Sequence, residues 1–263
     1  MGVKGLKKLL EDYALNGVDK VNFRGLHNRI IAIDATGVIQ QLLAVKLDNT
    51  RQDEFLTDFN GETNWHVQGL SNRIIEMLEV GIKPVLVFGR IDFIHESGSG
   101  TRGQDRAKLL IARNKGDAHN MDHFMRRLAR VSKEQVEDCI MLCRYMGLPF
   151  VHVPEIRAVD QCVEMEKKGK VNATASEDMA ALPLGSVLLL RKLTYSQNKN
   201  ERVPVVSYKM SELLRDLLLE SHQQFVDLCI LLGSDFCKSP LHKYSLPSDQ
   251  GESRSRHLSV FSD

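Results

Sequence analysis

Short β-branched runs alternate along the chain with longer stretches of helical period. Runs at 29–33, 83–88, 149–153, 170–175 and 186–190, with a weaker one at 203–206, have the length and composition of strands. Between them, 63–79 sets Val67, Leu70, Ile74, Ile75 and Leu78 on one helical face. The segment 133–146 does so with Val136, Cys139, Ile140 and Cys143, and 158–168 and 222–232 follow. Alternation of this kind predicts an α/β fold, a mainly parallel central sheet flanked by helices on both faces. Ligands of such sheets gather beyond the carboxyl ends of the strands, which is where chemistry is sought.

Two regions depart from the pattern. From Arg90 to Glu134 there are ten Lys or Arg against six acids, opening with Ser97-Gly98-Ser99-Gly100 and continuing as a polar helical pattern without a broad apolar stripe. This predicts a mobile, locally basic excursion from the core over about 90–134. Beyond Cys237, residues 238–263 are rich in Ser, His, Arg and Pro and read as a disordered tail, so one domain is expected over 1–237.

At 263 residues the chain suffices for a sizeable core, and 35 basic side chains against 34 acidic ones leave no strong overall field. Any charged partner must then meet a local patch. Five cysteines outside any C-x-x-C array suggest a reduced, intracellular setting. No apolar run long enough to span a membrane occurs, and no membrane attachment is expected.

Several acids fall at strand ends or in turns: Asp34, Glu177, Asp178 and Asp235. Carboxylates converging above a parallel sheet need compensation, and Mg²⁺ takes oxygen ligands from such clusters, pointing to metal-dependent phosphate chemistry. The alternative is that each Asp caps a helix N-terminus.

The words around these acids carry a resemblance. Met1-Gly2-Val3-Lys4-Gly5-Leu6, Ile31-Ala32-Ile33-Asp34-Ala35, Gly61-Glu62-Thr63, Gly81-Ile82-Lys83-Pro84-Val85-Leu86-Val87-Phe88, Met146-Gly147-Leu148-Pro149, Gly169-Lys170-Val171, Glu177-Asp178-Met179 and Phe225-Val226-Asp227-Leu228-Cys229-Ile230-Leu231-Leu232-Gly233-Ser234-Asp235 run in order over roughly 1–237. Together they resemble the flap endonuclease family, the XPG/RAD2-type structure-specific 5′ nucleases. The resemblance implies a PIN-like α/β nuclease domain with a helical gateway, removal of 5′ flaps in DNA replication and repair, a nuclear setting, and two Mg²⁺ ions held by seven acids.

Carried over by position, the resemblance makes Asp34, Asp178 and Asp235 metal-binding and catalytic residues and loses the other four acids. Gly89 stands where the family has Asp, Arg157 and Val159 stand at two glutamates, and Ala180 stands at a further Asp. Glu96 and Gly103 replace a gateway Lys and Arg, with Arg102 and Arg106 nearby. Lys46 and Arg73 match DNA-contacting bases, and Gly233 keeps the small residue beside Asp235 at the DNA. Seven carboxylates oppose two ions with about −7 against +4, whereas three supply about −3, enough for one hydrated Mg²⁺ at most.

Asp160, Glu155 or Glu177 are candidates to replace a lost ligand. A one-residue shift on a helix turns a side chain by about 100°, which disfavours Asp160 in the place of Val159. Arg157 suggests a sharper idea: it pairs with Asp34 or Asp178, substitutes for metal charge and holds a phosphate bidentately, the alternative being that it turns out to solvent. The divergent end implies loss of the family's helix-turn-helix duplex grip and its sliding-clamp peptide; the partner expected is flapped or branched DNA, and the chain is expected to be a monomer.

Three outcomes stay open: a residual one-metal nuclease, a non-catalytic DNA binder, and a decayed gene product. Other signals read as structure. His119 and His123 belong to an exposed helix, Cys139 and Cys143 to the core, Trp65 to packing, and Glu166-Lys167-Lys168-Gly169-Lys170 to a solvated helix end.

Overall fold

The computed structural model describes residues 3–48, 64–91, 99–117, 120, 121, 124, 131–193 and 204–234. Seven strands form one sheet: β1 Val18–Val21, β2 Ile30–Asp34, β3 Lys83–Gly89, β4 Phe150–Val153, β5 Ala173–Ala175, β6 Leu188–Arg191 and β7 Val205–Lys209, in the order β1-β7-β6-β5-β2-β3-β4. The five strands from β6 to β4 are parallel, whereas β7 runs antiparallel to both β6 and β1. The sheet is thus mainly parallel, with an antiparallel edge. β1 has no counterpart among the expected strands, because Asp19 and Lys20 interrupt its apolar pattern.

The helices are α1 Leu6–Tyr13, α2 Ala35–Asp48, α3 Trp65–Glu79, α4 Ser99–Lys115, α5 Lys133–Tyr145, α6 Ala158–Lys167, α7 Met210–Asp216 and α8 His222–Leu232. Strand pleating divides β2 between two cores. Ile31 and Ile33 pack with Ile39, Leu70, Ile74 and Cys139 from α2, α3 and α5, while Ala32 packs with Val87, Ala158 and Cys162 beneath α6. A second large cluster joins Leu6 and Leu10 of α1 to Val163, Tyr208, Leu213 and Phe225.

Local chemistry sets the helix ends. Ser132 and Gln135 close a reciprocal capping box at α5: the Ser132 hydroxyl accepts from the Gln135 amide at 3.2 Å, and Gln135 Oε1 accepts from the Ser132 amide at 3.1 Å. Ser221 caps α8, and Gly233, at φ 83, stops it.

Two expectations are corrected. Ile75 and Leu78 are exposed, and α3 instead buries His66, Arg73 and Met77 beside Leu70 and Ile74. His66 Nε2 lies 3.1 Å from Asp138 Oδ2, tying α3 to α5. The Glu166–Lys170 run is not wholly solvated: Glu166 is buried, accepting from the Thr174 and Ser186 hydroxyls at 2.8 Å each and from the Leu188 amide at 2.7 Å. Burial raises its carboxyl above the usual range. Trp65, Cys139 and Cys143 are core residues, as expected. His119, His123, Cys237 and the segment 238–263 lie outside the described residues. No described helix is long and apolar enough to cross a membrane.

Candidate active site

The carboxyl ends of β2, β3 and β5 meet where the chain, after building β2, β3 and β4 in one direction, returns over α6 to add β5 on the other side of β2. Such a reversal leaves a crevice above the sheet. Asp34 is the last residue of β2, Gly89 the last of β3, and Ser176 and Asp178 follow β5.

Ser176 joins the two acids. Its hydroxyl donates to Asp34 Oδ2 at 2.9 Å and accepts from the Asp178 backbone amide at 3.1 Å. Asp34 Oδ1 accepts from the Gly37 amide at 2.8 Å, closing the first turn of α2, and Asp178 Oδ1 accepts from the Ala180 amide at 2.9 Å. Both aspartates therefore cap helical turns while facing the crevice edge. Burial pushes the Asp34 carboxyl up to about 6; the Gly37 and Ser176 hydrogen bonds and Arg157 hold it down, and Asp178 adds to the rise. The half-buried position leaves this group protonated far more readily than an ordinary aspartate.

Arg157 is the N-cap residue of α6 and provides no side-chain cap. A cation there opposes the helix dipole, and Asp160 offsets it from the first turn. The guanidinium forms a fork on Asp160, Nε to Oδ2 at 3.1 Å and Nη2 to Oδ1 at 2.7 Å, and Nη1 reaches Asp178 Oδ2 at 3.5 Å. The pairing anticipated with Asp178 is present, but the shorter contacts go to Asp160, which sequence reasoning had weighed only as a replacement ligand. The signal was available, since Arg157 and Asp160 lie at helical spacing i, i+3.

Backbone packing brings Arg157 there. The Arg90 amide donates to the Ile156 carbonyl at 2.6 Å, and the Gly89 amide donates to the Thr36 hydroxyl at 3.0 Å. A Cβ at Gly89 would fall 2.1 Å from Ala158 N and 2.7 Å from Arg157 C, so the approach of the 157–158 turn to β3 requires glycine.

The other candidates are dispersed. Glu177 accepts from the Arg191 guanidinium at 3.1 Å and from the Lys192 amide, so it is committed away from the acids. Glu155 is exposed, and Val159 is in the core. Arg73 is buried, 8% exposed, rather than displayed as a surface base. Lys46 belongs to α2 and Gly103 to α4; the side chains of Lys46, Arg102 and Arg106, and residues Glu96 and Asp235, lie outside the described set. Gly233 accepts from the Lys4 amide at 2.8 Å, and Val3 bridges Ser234, bringing the N-terminal segment against the end of α8.

The described residues do not fit a two-ion centre. Among the described residues no three His, Cys, Asp or Glu side chains gather as metal ligands, and the acids that do converge share a guanidinium.

The XPG N-terminal domain model matches residues 1–108 and the XPG I-region model matches 148–235. Flap endonuclease 1 of Nematostella vectensis is 41% identical over 245 residues, covering 91% of this chain and 63% of the relative. The chain belongs to the flap endonuclease family. It spans less than two thirds of that relative's length. Among solved structures, flap endonuclease-1 from Methanococcus jannaschii superimposes with a TM-score of 0.61 at 25% identity, covering 84% of this chain and 69% of the other. The catalytic core of Rad2 in complex with DNA substrate gives a TM-score of 0.61 at 21% identity, covering 90% and 64%. The fold is accordingly that of the family's 5′ nucleases, with α4 rising from the region expected to form the gateway.

Proposed function

We propose that this protein recognises DNA carrying a 5′ flap or branch, in the nucleus, as a structure-specific 5′ nuclease of its family whose phosphodiester hydrolysis is strongly impaired. The observation that carries the reading is the Asp34–Ser176–Asp178 linkage at the carboxyl ends of β2 and β5, set in a flap endonuclease fold. Family membership supports the substrate class and a metal-dependent reaction. The geometry supports the impairment, since Gly89, Arg157, Val159 and Ala180 contribute no carboxylate.

Phosphate contacts fall to Lys46 and to the basic end of α4, where Lys108, Arg113 and Lys115 are exposed. Arg73, being buried, is better suited to supporting α3 than to touching DNA. A second reading, a binder with no hydrolysis at all, is favoured by the Arg157 guanidinium beside Asp178.

An end-labelled 5′-flap duplex incubated with purified protein in Mg²⁺ or Mn²⁺, beside Asp178→Ala, tests both. Slow junction cleavage lost in the variant supports the first reading. Binding without cleavage, weakening as salt rises, selects the second. Absence of both cleavage and salt-sensitive binding overturns the assignment to DNA.

A further inference from the structure

We propose that Arg157 is the resident cation of this site, locked in place by the missing side chain at Gly89, so that the acid cluster assembles without a divalent ion. The inference stands on side-chain geometry and goes beyond the DNA reading; it survives if that reading fails.

Three observations support it. First, the guanidinium is committed to the acids: a two-point fork on Asp160 and a third contact to Asp178, with the Arg157 side chain only 18% exposed. Fork geometry is what distinguishes a positioned arginine from a solvated one. Second, the position is enforced by backbone. The Gly89 Cβ that is absent would sit 2.6 Å from Ala158 Cα, and the Arg90 amide fixes the preceding turn through Ile156. Third, each carboxylate oxygen of Asp34 already accepts a hydrogen bond, from Gly37 or from Ser176. A divalent ion drawing on Asp34 and Asp178 would approach a fixed positive charge and find no third acidic ligand among the described residues. The resemblance-implied metal centre and the side chains present therefore disagree, and the protein's own cation resolves the charge.

Gly89 and Arg157 act as one device in this arrangement. A side chain at 89 would push the turn outward and carry the guanidinium away from Asp178. A carboxylate at 157 would face Asp160 and Asp178 with no cation. Restoring either position alone opposes the other.

The experiment uses the full chain in metal-free buffer with Mn²⁺ alone as probe, following free Mn²⁺ by electron paramagnetic resonance and the thermal midpoint in parallel. For the wild type we expect no saturable site below about 1 mM, the weak end of protein cation sites, and the same midpoint in EDTA and Mn²⁺. Arg157→Gln removes the cation; its midpoint falls in EDTA, is recovered by Mn²⁺, and its Mn²⁺ affinity exceeds the wild type's at least tenfold. Arg157→Lys keeps the charge and stays indifferent to Mn²⁺. Stoichiometric Mn²⁺ binding by the wild type overturns the proposal, as does Mn²⁺ binding gained by the lysine variant or an Arg157→Gln protein as metal-indifferent as the wild type. Should Arg157→Gln fail to fold in either buffer, the wild-type titration decides alone. No DNA enters these measurements, so their failure is distinguishable from failure of flap recognition.

Discussion

Gly89→Ala probes the closest backbone approach at the site. The added Cβ would lie 2.1 Å from Ala158 N, 2.6 Å from Ala158 Cα and 2.7 Å from Arg157 C, all backbone atoms that cannot rotate away. Real Cβ contacts need a separation greater by about 1 Å, and overpacking of this kind costs about 1–3 kcal/mol. Moving the turn also threatens the Arg90 to Ile156 hydrogen bond and the Gly89 to Thr36 hydrogen bond, each contributing about 1 kcal/mol. A loss of about 3–5 kcal/mol follows, a large part of an ordinary domain's stability. With a urea slope of about 2–3 kcal/mol per molar, the midpoint should fall by about 1–2.5 M at unchanged slope. Gly69→Ala is the control. Its Cβ would meet Leu42 Cδ2 at 2.6 Å, the end of a flexible side chain, and alanine in the middle of α3 regains about 1 kcal/mol of helix propensity. That variant should stay within about 1 kcal/mol of the wild type. Equal midpoints for Gly89→Ala and the wild type, or equal losses for the two variants, would refute the claim that the 157–158 turn is clamped against β3.

Two further substitutions test parts of the framework that sequence patterning did not reveal. Glu166→Ala strands the Thr174 hydroxyl, the Ser186 hydroxyl and the Leu188 amide in the interior, and at about 1–3 kcal/mol for each unsatisfied donor it should cost at least about 3 kcal/mol in urea denaturation; a loss below about 1 kcal/mol would mean water replaces the carboxylate. Asp216 accepts from the Asn16 amide at 2.7 Å, the Asn16 side chain at 2.9 Å and the Gly17 amide at 3.0 Å, and the Asn16 side-chain bond leads in holding its carboxyl below the usual 3.8. A lowered carboxyl stabilises the fold above its unfolded value and loses that contribution as pH falls through its folded value. Asp216→Ala should therefore lower the denaturation midpoint at pH 7, with the difference from wild type shrinking once pH drops below about 4. A difference constant from pH 7 to pH 2 would contradict the assignment.

The parallel strands were legible because a strand covered on both faces has to be apolar along its whole length, as Ile31-Ala32-Ile33 and Val85-Leu86-Val87-Phe88 are. The edge was not. β1 shows its charged Asp19 and Lys20 to solvent and is held by pairing with β7, a non-local contact that leaves no local pattern. Helical period located α3 but misjudged its face: Ile75 and Leu78 lie outside, while His66 finds Asp138 on α5. Glu166 was hidden by the lysines after it, since charge runs report the average environment of a segment and not the orientation of one side chain. At the site, Asp34 and Asp178 follow from strand ends. The reach of Arg157 depends on how near its turn lies to β3, which only the fold supplies.

This dependence bears on whether the altered positions record mere decay. Drift at unconstrained positions would break up the apolar cores and the local capping motifs. Instead Leu6, Leu10, Ile31, Ile33, Ile74 and Phe225 are fully enclosed, Glu166 has three donors, and Ser132 and Gln135 keep both halves of their box. Two of the positions at which the resemblance implies a lost acid are also matched to each other. The absence of a side chain at Gly89 leaves the space that the 157–158 turn occupies, and the guanidinium of Arg157 supplies charge to Asp160 and Asp178, which that turn faces. Independent losses have no reason to be complementary in volume and in charge at once. The site has the character of an ion-paired cleft on the family's fold, and a fold kept to this standard around such a centre is what the proposed recognition of DNA with altered chemistry requires.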